Sequence, residues 1–336
     1  MNIDNRNTDD YLKLIDSIGV TIETARRRAV QTVNNELLNA NWAVGKYIIE
    51  FEQNGNEKAD YGSSLLTNLS KDLKSRFGKG FSKSNVYLMR QFYLKYPKFQ
   101  SVTGKLTWTH YAEILGVSDD HARCFYEKQA INENWSVREL KRQIESSLFE
   151  RLALSKDKAG VLQLSKEGLS ISEAKDIVKD PYILEFLQIP EEPRMSESKL
   201  EQRIIDNLQI FLLELGKGFS FVGRQYRITL DNDHYYVDLV FYHRILKCFV
   251  LIDLKTKHVK HQDIGQMNMY LNYFKIEENT EGDNPPIGIV LGANKNDILV
   301  EYAIGGISNK IFVSKYQLYL PDRRVLEEKV KEIMTK

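Results

Sequence analysis

Cysteine is scarce in this chain of 336 residues, and the two present, Cys124 and Cys248, lie far apart in apolar segments. They cannot build a disulfide framework, and they do not have the spacing of a zinc site. Long apolar runs are missing as well, because none reaches the roughly 18 residues that a membrane-spanning helix needs. The N-terminal segment MNIDNRNTDD is polar and acidic, unlike a signal peptide. We therefore expect a cytoplasmic protein that does not associate with membranes.

Charge of one sign is not in excess either, since 47 Lys and Arg residues face 46 Asp and Glu residues. A net charge of +1 neither supports nor excludes a polyanionic partner, because a sum over the whole chain hides local asymmetry. Apolar residues make up 42% of the chain and charged residues 28%, as in an ordinary globular protein. The length exceeds that of one typical domain and predicts two.

Two apolar runs in the C-terminal half, residues 235–242 and 248–254, are rich in Val, Ile, Phe and Tyr and are separated by a short joint. Their composition and length predict two strands of a hairpin. Side chains alternate along a strand, so Asp253 and Lys255 point the same way, and pairing about the joint can bring Asp238 beside them. Two carboxylates at a buried site repel each other unless they are neutralised, and a divalent cation bound by both would neutralise them.

Asp238, fourteen intervening residues and then Asp253-Leu254-Lys255 form the pattern D-x(n)-[DE]-x-K. In this pattern the chain resembles the PD-(D/E)XK nuclease superfamily, and more closely the YhcG-like family, in which a helical domain precedes the nuclease domain. The segments that carry the closer resemblance cover most of the chain and are VGRQYRI (222–228), YYVDLVFYHR (235–244), LIDLKT (251–256), GQMNMYLNYF (265–274), LTWTHYAEIL (106–115) and NWSVRELKRQI (134–144). The sequence departs from the family pattern twice, with Val237 in place of the name-giving proline and Asp253 in place of the more usual Glu.

The resemblance implies an α+β multidomain protein: an all-α N-terminal domain, then an α/β restriction-endonuclease-like core with a mixed central sheet. It also implies an endonuclease that hydrolyses DNA phosphodiesters with Mg²⁺, or with Mn²⁺ in its place. In that chemistry Asp238 and Asp253 bind the metal, and Lys255 lies beside the scissile phosphate as a base or as an electrostatic stabiliser. The resemblance further implies that Glu201 approaches the metal directly or through water. Gln266, which opens the following helix, would orient water or phosphate.

The N-terminal part is predicted to be helical, beginning with one or two long helices over residues 9–51. Within residues 71–95, seven Lys or Arg stand against one acid, and a glycine turn separates two helices, the second capped by Ser82 or Ser84. This outline is that of a helix-turn-helix, and it makes Lys79, Lys83 and Arg90 candidate contacts to nucleic acid. The alternative is a packed helical hairpin whose lysines face water.

We place the domain boundaries at residues 1–153 for the helical, nucleic-acid- or partner-binding domain, 154–179 for a linker and 180–336 for the nuclease domain. Ser136 and Glu139 predict a capping box at the start of a helix. Residues 154–170 show no clear periodicity, residues 180–193 predict a short apolar helix bounded by prolines, residues 197–216 predict one amphipathic helix and residues 219–230 predict a strand. Arg224 on the first predicted strand is a candidate DNA contact or a structural residue. Lys257, in a basic segment after the lysine strand, is a plausible wall of a DNA groove.

Two other functions compete with the nuclease hypothesis. The first is a non-catalytic DNA-binding or assembly protein that retains a nuclease-like fold. The second is hydrolysis of a sugar by two carboxylates, which is disfavoured because the nearby lysine has no natural part in it. The expected partner is DNA, either duplex or branched. A homodimer is expected only by analogy with nucleases that pair subunits to cut two strands.

Overall fold

The computed structural model of this protein describes residues 5–54, 61–99, 104–189 and 196–335. The chain divides into two compact units, which we describe separately. The first comprises residues 1–123 and 130–140, and the second comprises residues 124–129 and 141–336. None of the helices in the described ranges combines the length and the apolar character that crossing a membrane requires.

The N-terminal region is all-helical, as predicted. Its helices are α1 (Asn5–Asn54), α2 (Tyr61–Phe77), α3 (Lys83–Lys95), α4 (Trp108–Leu115), α5 (Asp120–Glu133) and α6 (Val137–Glu145). The predicted cap of α3 is confirmed, because the backbone N–H of Asn85 donates to Ser82 Oγ over 3.2 Å. The predicted capping box of α6 is confirmed as well: Ser136 N donates to Glu139 Oε2 over 2.6 Å, and Glu139 N donates to Ser136 Oγ over 3.3 Å.

The first unit packs around α3. The buried ring of Phe92 contacts a group of aromatic side chains, namely Tyr96, Phe99, Trp108 and Tyr111. Helix α1 approaches α3 closely at Gly45, where a Cβ atom would lie 2.0 Å from the carbonyl oxygen of Met89. Glycine at this position therefore sets the distance between the two helices.

The second unit contains seven helices and six strands in the described ranges. They are α7 (Leu148–Ala153), α8 (Lys158–Glu167), β1 (Tyr182–Ile183), α9 (Glu197–Asp206), α10 (Leu208–Leu215), β2 (Phe219–Leu230), β3 (Asp233–His243), β4 (Cys248–His258), α11 (His261–Tyr273), β5 (Ile287–Asn294), α12 (Asp297–Ile304), β6 (Lys310–Gln317) and α13 (Arg323–Thr335). The strands form one sheet in the order β1-β6-β5-β4-β3-β2. Strands β2, β3 and β4 pair antiparallel, and β4, β5, β6 and β1 pair parallel, which gives the predicted mixed sheet.

Helices cover both faces of this sheet. Leu200 of α9 and Phe211 of α10 pack on one face, together with Ile252 of β4. Met267 of α11 packs on the other face, together with Leu251. Because successive residues of β4 enter opposite apolar layers, the strand is a nearly continuous apolar run, and charged residues within it are conspicuous.

Three local predictions are wrong. The predicted helix over residues 197–216 is broken at Asn207, whose backbone angles of −120° and 27° are not helical. Of residues 180–193, predicted as a short apolar helix, the described part 180–189 forms β1 and a 3₁₀ turn instead, because the segment pairs with the edge of the sheet and Leu184 N donates to Gln317 O over 2.7 Å. The segment 154–170, predicted to lack regular structure, contains α8. The domain boundaries themselves stay predictions.

Candidate active site

The candidate site lies where two neighbouring strands part. Pairing between β3 and β4 runs as far as Leu239 opposite Ile252. Beyond this pair, β3 continues along β2, and β4 continues along β5. Asp238 is the first residue of β3 past the pair, and its Oδ2 accepts the backbone N–H of Leu254 over 2.7 Å. The Asp238 carboxylate thus takes the place of a backbone carbonyl as the acceptor for Leu254. We call the opening between β3 and β4 beyond the Leu239–Ile252 pair the notch.

Asp253 and Lys255 lie on the β4 side of this notch and face the same way, as their spacing predicts. Lys255 Nζ is 2.7 Å from Asp253 Oδ2. Asp253 is 3% exposed. Within the described part of the chain, its Oδ2 accepts no well-directed hydrogen bond, and the polar group in contact with this oxygen is the ammonium of Lys255. A buried carboxylate oxygen with unused lone pairs is costly unless another cation or donor reaches it.

Gln225 links the two remaining acids of the site. Its Nε2 donates to Glu201 Oε2 over 2.6 Å and to Asp238 Oδ1 over 3.1 Å. The register of β2 and β3 places Arg224 opposite Leu239, so Gln225 lies opposite Asp238. Gln225 has a φ of 47°, in the left-handed region that non-glycine residues rarely adopt. Such strain persists where the surroundings require it, and here it accompanies an amide held between two carboxylates.

Burial raises the pKa of all three acids. It raises the pKa of Asp253 to about 7. The nearby Asp238 carboxylate raises this pKa further, whereas Lys255 acts to lower it. Burial also raises the pKa of Asp238, although the hydrogen bond from the Leu254 N–H and the charge of Lys255 act to lower it. The pKa of Glu201 is raised by burial in the same way, although the hydrogen bond from Gln225 acts to lower it. Burial therefore disfavours the ionised form of each of these carboxyl groups.

Among the residues that the structure describes, the cation in contact with Asp253 is Lys255. Burial acts to lower the pKa of Lys255, but Asp253 outweighs it, with Glu197 and Asp238 adding, so that the pKa is raised.

Helix α11 brings two polar side chains to the site. Gln266 Nε2 donates to the hydroxyl of Tyr270, which donates in turn to the carbonyl oxygen of Tyr236 over 3.1 Å. Burial raises the pKa of the Tyr270 hydroxyl, and the negative charge of Asp253 raises it further. Gln266 was predicted from the sequence, whereas Tyr270 was missed; their spacing of four residues on one helix face was the available signal.

Glu197, in the first turn of α9, was also missed. Its Oε1 accepts the backbone N–H of Thr256 over 3.4 Å, one residue after the lysine. Arg224, predicted to contact DNA, is exposed and donates to Gln202 Oε1 over 2.8 Å. Lys257, the other predicted contact in this unit, is exposed two residues beyond Lys255.

The three candidate contacts of the first unit differ in their surroundings. Lys79 and Lys83 are exposed in and just after the turn between α2 and α3. Arg90 is half-buried, and its Nε lies 3.0 and 2.9 Å from the two carboxylate oxygens of Glu52. Because this guanidinium is already held by a carboxylate inside the unit, Arg90 is less available to a phosphate than the two exposed lysines are.

Among the described residues, no three His, Cys, Asp or Glu side chains are grouped as a ready-made metal site. A site of two carboxylates nevertheless suits Mg²⁺, which keeps several waters and commonly binds one or two carboxylates plus substrate phosphate. The incompletely bonded Oδ2 of Asp253 and the raised pKa of both Asp238 and Asp253 are what a cation would relieve. The residues present therefore fit a divalent cation.

Comparisons with known proteins agree with this geometry. Residues 175–331 match the family model described as the YhcG PDDEXK nuclease domain, and residues 17–151 match the DUF1016 N-terminal domain. An Escherichia coli K12 protein named "Putative nuclease YhcG" is 37% identical over 355 aligned positions, which cover 96% of this chain and 94% of that protein. The chain belongs to the YhcG nuclease family. The sequence resemblance and the predicted fold class are thereby confirmed.

Two solved structures show a weaker likeness to this YhcG-family chain. One is the crystal structure of a repair endonuclease from Pyrococcus abyssi, with 17% identity, coverage of 39% of this chain and 50% of that chain, and a TM-score of 0.27. The other is the apo form of EndoMS, with 14% identity, coverage of 39% and 49%, and a TM-score of 0.26. At these scores the likeness adds nothing to the family assignment.

Substitutions of Gln225 test separately what its side-chain amide contributes to activity and what its positive φ costs in stability. Gln225→Ala and Gln225→Gly both remove the amide between Glu201 and Asp238, and both are expected to lower nuclease activity about 10- to 100-fold. Only the alanine retains a Cβ at a positive φ, so the glycine variant is expected to be more stable by about 0.5–1 kcal/mol. Urea denaturation of the two variants measures this difference. Equal stabilities would show that the backbone relaxes once the amide is gone.

Proposed function

We propose that this YhcG-family chain is a divalent-cation-dependent endonuclease that hydrolyses phosphodiester bonds of DNA, with Mg²⁺ as the preferred ion and Mn²⁺ as a substitute. The observation that carries the proposal is the notch between β3 and β4, which brings together Asp238, a buried Asp253 with unused lone pairs, and Lys255. The chain has two cysteines in 336 residues, a scarcity that suits a reducing compartment, and we propose that the protein acts in the cytoplasm.

Each side chain of the notch has a part in this reaction. Asp238 and Asp253 would hold the cation, and Glu201 would reach it directly or through water, kept in line by Gln225. The bound ion supplies Lewis acidity and lowers the pKa of water at the phosphate. Lys255 holds its ammonium where negative charge develops on the phosphate oxygens and stabilises it. Gln266, fixed by its hydrogen bond to Tyr270, orients phosphate or water.

A plasmid assay tests the proposal. Wild-type protein is expected to nick or linearise supercoiled DNA with Mg²⁺ or Mn²⁺ and to be inactive with EDTA. Asp238→Asn is expected to lower the rate by at least about 100-fold. Asp233→Asn, at the exposed start of the same strand, serves as the matched control and should cleave normally. The non-catalytic alternative would be supported if the protein binds DNA but cleaves no substrate when metal is added. The substrates for that comparison are duplex, branched and single-stranded DNA, and RNA. Cleavage of RNA alone would reject the DNA substrate.

We propose in addition that the first unit binds DNA through the turn between α2 and α3. Residues 71–95 carry seven basic residues against one acid, and Lys79 and Lys83 are exposed there. Lys79→Glu with Lys83→Glu is expected to weaken DNA binding about 10-fold or more and to lower the slope of log affinity against log salt by about 2. Lys98→Glu, on the exposed loop after α3, is the control. Titrations at several salt concentrations measure both quantities, and an unchanged slope would mean that this turn binds another partner.

A further inference from the structure

The N-terminal half of α1 is a helix whose apolar side chains face solvent. Tyr11 is 61% exposed, Ile18 46% and Ile22 47%, whereas the buried apolar residues of the same helix begin only at Leu38. In proteins, most of the stability of a helix comes from tertiary packing of its apolar face and not from helix propensity. The stability of this half of α1 must come from covering the apolar face.

Six apolar residues of this half follow a coiled-coil spacing, whereas Leu12, Leu14 and Val20 lie off it. Steps of four and three residues alternate through the six seam positions, which are Tyr11, Ile15, Ile18, Ile22, Ala25 and Ala29. All six are exposed. This is the spacing of a seam that faces another helix, and it differs from the broader stripe of a helix packed on a globular core.

The order of side-chain sizes along the seam selects an orientation. In an antiparallel pair centred on residue 20, Ile18 lies opposite Ile22, Ile15 opposite Ala25 and Tyr11 opposite Ala29. Tyr11 and Ile15 then each meet an alanine, and the isoleucines Ile18 and Ile22 meet at the centre, so that the space between the helices is filled. A parallel pair in register would place alanine against alanine at one end and leave a void there. Gly19, with no atom within 4 Å of a Cβ built on it, lies beside the centre and allows close approach.

The charges agree with the antiparallel orientation. Residues 10–16 carry two acids and one lysine, and residues 26–28 are three arginines. Antiparallel pairing about residue 20 places residues 10–16, with a net charge of −1, level with residues 24–30 of the other helix, with a net charge of +3. These opposite net charges favour the antiparallel orientation even though Lys13 then lies level with Arg27. Parallel pairing in register would place the two arginine clusters side by side, where like charges repel.

We propose that the chain forms a homodimer through antiparallel pairing of residues 11–29 of α1 from two copies. This goes beyond the proposed function, because it does not depend on nuclease activity. The occupant of the apolar face is a second copy because the seam is complementary to itself in both side-chain volume and charge. Such a dimer carries two copies of the candidate active site, one for each strand of a duplex.

Sedimentation equilibrium of the full chain tests the dimer. Wild type is expected at twice the 39.1 kDa mass of the chain at micromolar concentration. Ile18→Asp with Ile22→Asp, at the centre of the seam, is expected to raise the dissociation constant at least about 100-fold. Val20→Asp, which is 64% exposed and off the seam, introduces the same residue type and should leave the dimer intact. Near-UV circular dichroism of each variant shows that the rest of the chain is folded.

Cysteine cross-linking tests the orientation on a Cys124→Ser background. A mixture of Tyr11→Cys and Ala29→Cys proteins is expected to form a disulfide dimer, and Tyr11→Cys alone is not. Cross-linking of Tyr11→Cys alone would overturn the antiparallel arrangement. A wild-type monomer at about 50 µM, or a double Asp variant that dimerises as well as wild type, would overturn the dimer and leave a different protein as the occupant of the face.

Discussion

Substitution of Asp253 by Asn is expected to lower plasmid cleavage by at least about 10³-fold while making the metal-free protein more stable. The loss follows because the buried carboxylate is one of two that would hold the cation. The gain follows because burial, the Asp238 carboxylate and the incompletely bonded Oδ2 make an ionised Asp253 costly in the folded chain. Few core substitutions have opposite effects on activity and stability, and this pair of results identifies a site built for a ligand.

The stability gain should depend on pH in a defined direction. Burial raises the pKa of Asp253 from its ordinary value of 3.8 to about 7 in the folded chain. Between these values the unfolded chain is ionised and the folded chain holds a proton, so wild-type stability falls as pH rises through this window. Asn has no such proton. The advantage of Asp253→Asn is therefore absent near pH 4, grows toward pH 7 and levels off above it, at about 1–3 kcal/mol.

Urea denaturation in EDTA across this pH range measures the gain, and thermal denaturation with and without Mg²⁺ measures the ligand. Mg²⁺ is expected to raise the Tm of wild type and to leave that of Asp253→Asn nearly unchanged. Asp233→Asn again controls for the loss of a charge. A variant that is less stable than wild type at pH 8 would contradict the metal hypothesis, because it would show that Asp253 is there as the structural partner of Lys255.

Substitution of Glu214 by Gln is expected to destabilise the second unit by about 3–5 kcal/mol. Glu214 is fully buried on α10, where Arg151 Nη1 donates to its Oε1 over 2.8 Å and Arg142 Nη1 donates to its Oε2 over 3.1 Å. The backbone N–H of Ile183 in β1 also donates to Oε1, over 2.9 Å. Removing the carboxylate charge would leave Arg151, itself almost completely buried, without its counter-ion.

The same network is expected to make the free energy of unfolding decrease at acidic pH. Burial acts to raise the pKa of Glu214, but Arg151, Lys179 and Arg142 outweigh it and lower the pKa to about 2. The carboxylate therefore contributes its full stabilisation above its unfolded pKa of 4.5, and the contribution is lost as pH falls from there toward 2. Glu214→Gln should flatten the pH dependence of stability in that interval.

Far-UV circular dichroism suits the Glu214 measurement, because all three Trp residues belong to the first unit and Trp fluorescence reports on that unit instead. Glu173→Gln, which removes an exposed partner of Lys175, is the control and should change stability by less than about 0.5 kcal/mol. A loss of less than about 1 kcal/mol for Glu214→Gln would mean that water reaches the arginines once the carboxylate is neutral.

Several features of this protein follow from short-range patterns and were predicted from the sequence. The strand over Phe219–Leu230 has the predicted bounds. The joint after His243 turns as expected and places β4 beside β3. Ser82 and Ser136 cap the helices that they precede. These features depend on alternation, apolar periodicity and capping chemistry, all of which act over a few residues.

Other features depend on pairs of residues far apart in the chain, and only the tertiary structure determines them. The sheet edge turns residues 182–183 into a strand, although their local sequence suits a helix. Gln225, with a strained backbone, joins Glu201 from a helix and Asp238 from a strand. Glu52 forms an ion pair with Arg90, which the sequence predicts as a DNA contact. The sequence by itself determined that Asp253 and Lys255 share a face, because alternation along a strand is local. It could not determine how many other acids meet them there, because that depends on where β3 and β4 part and on which helices pack above the notch.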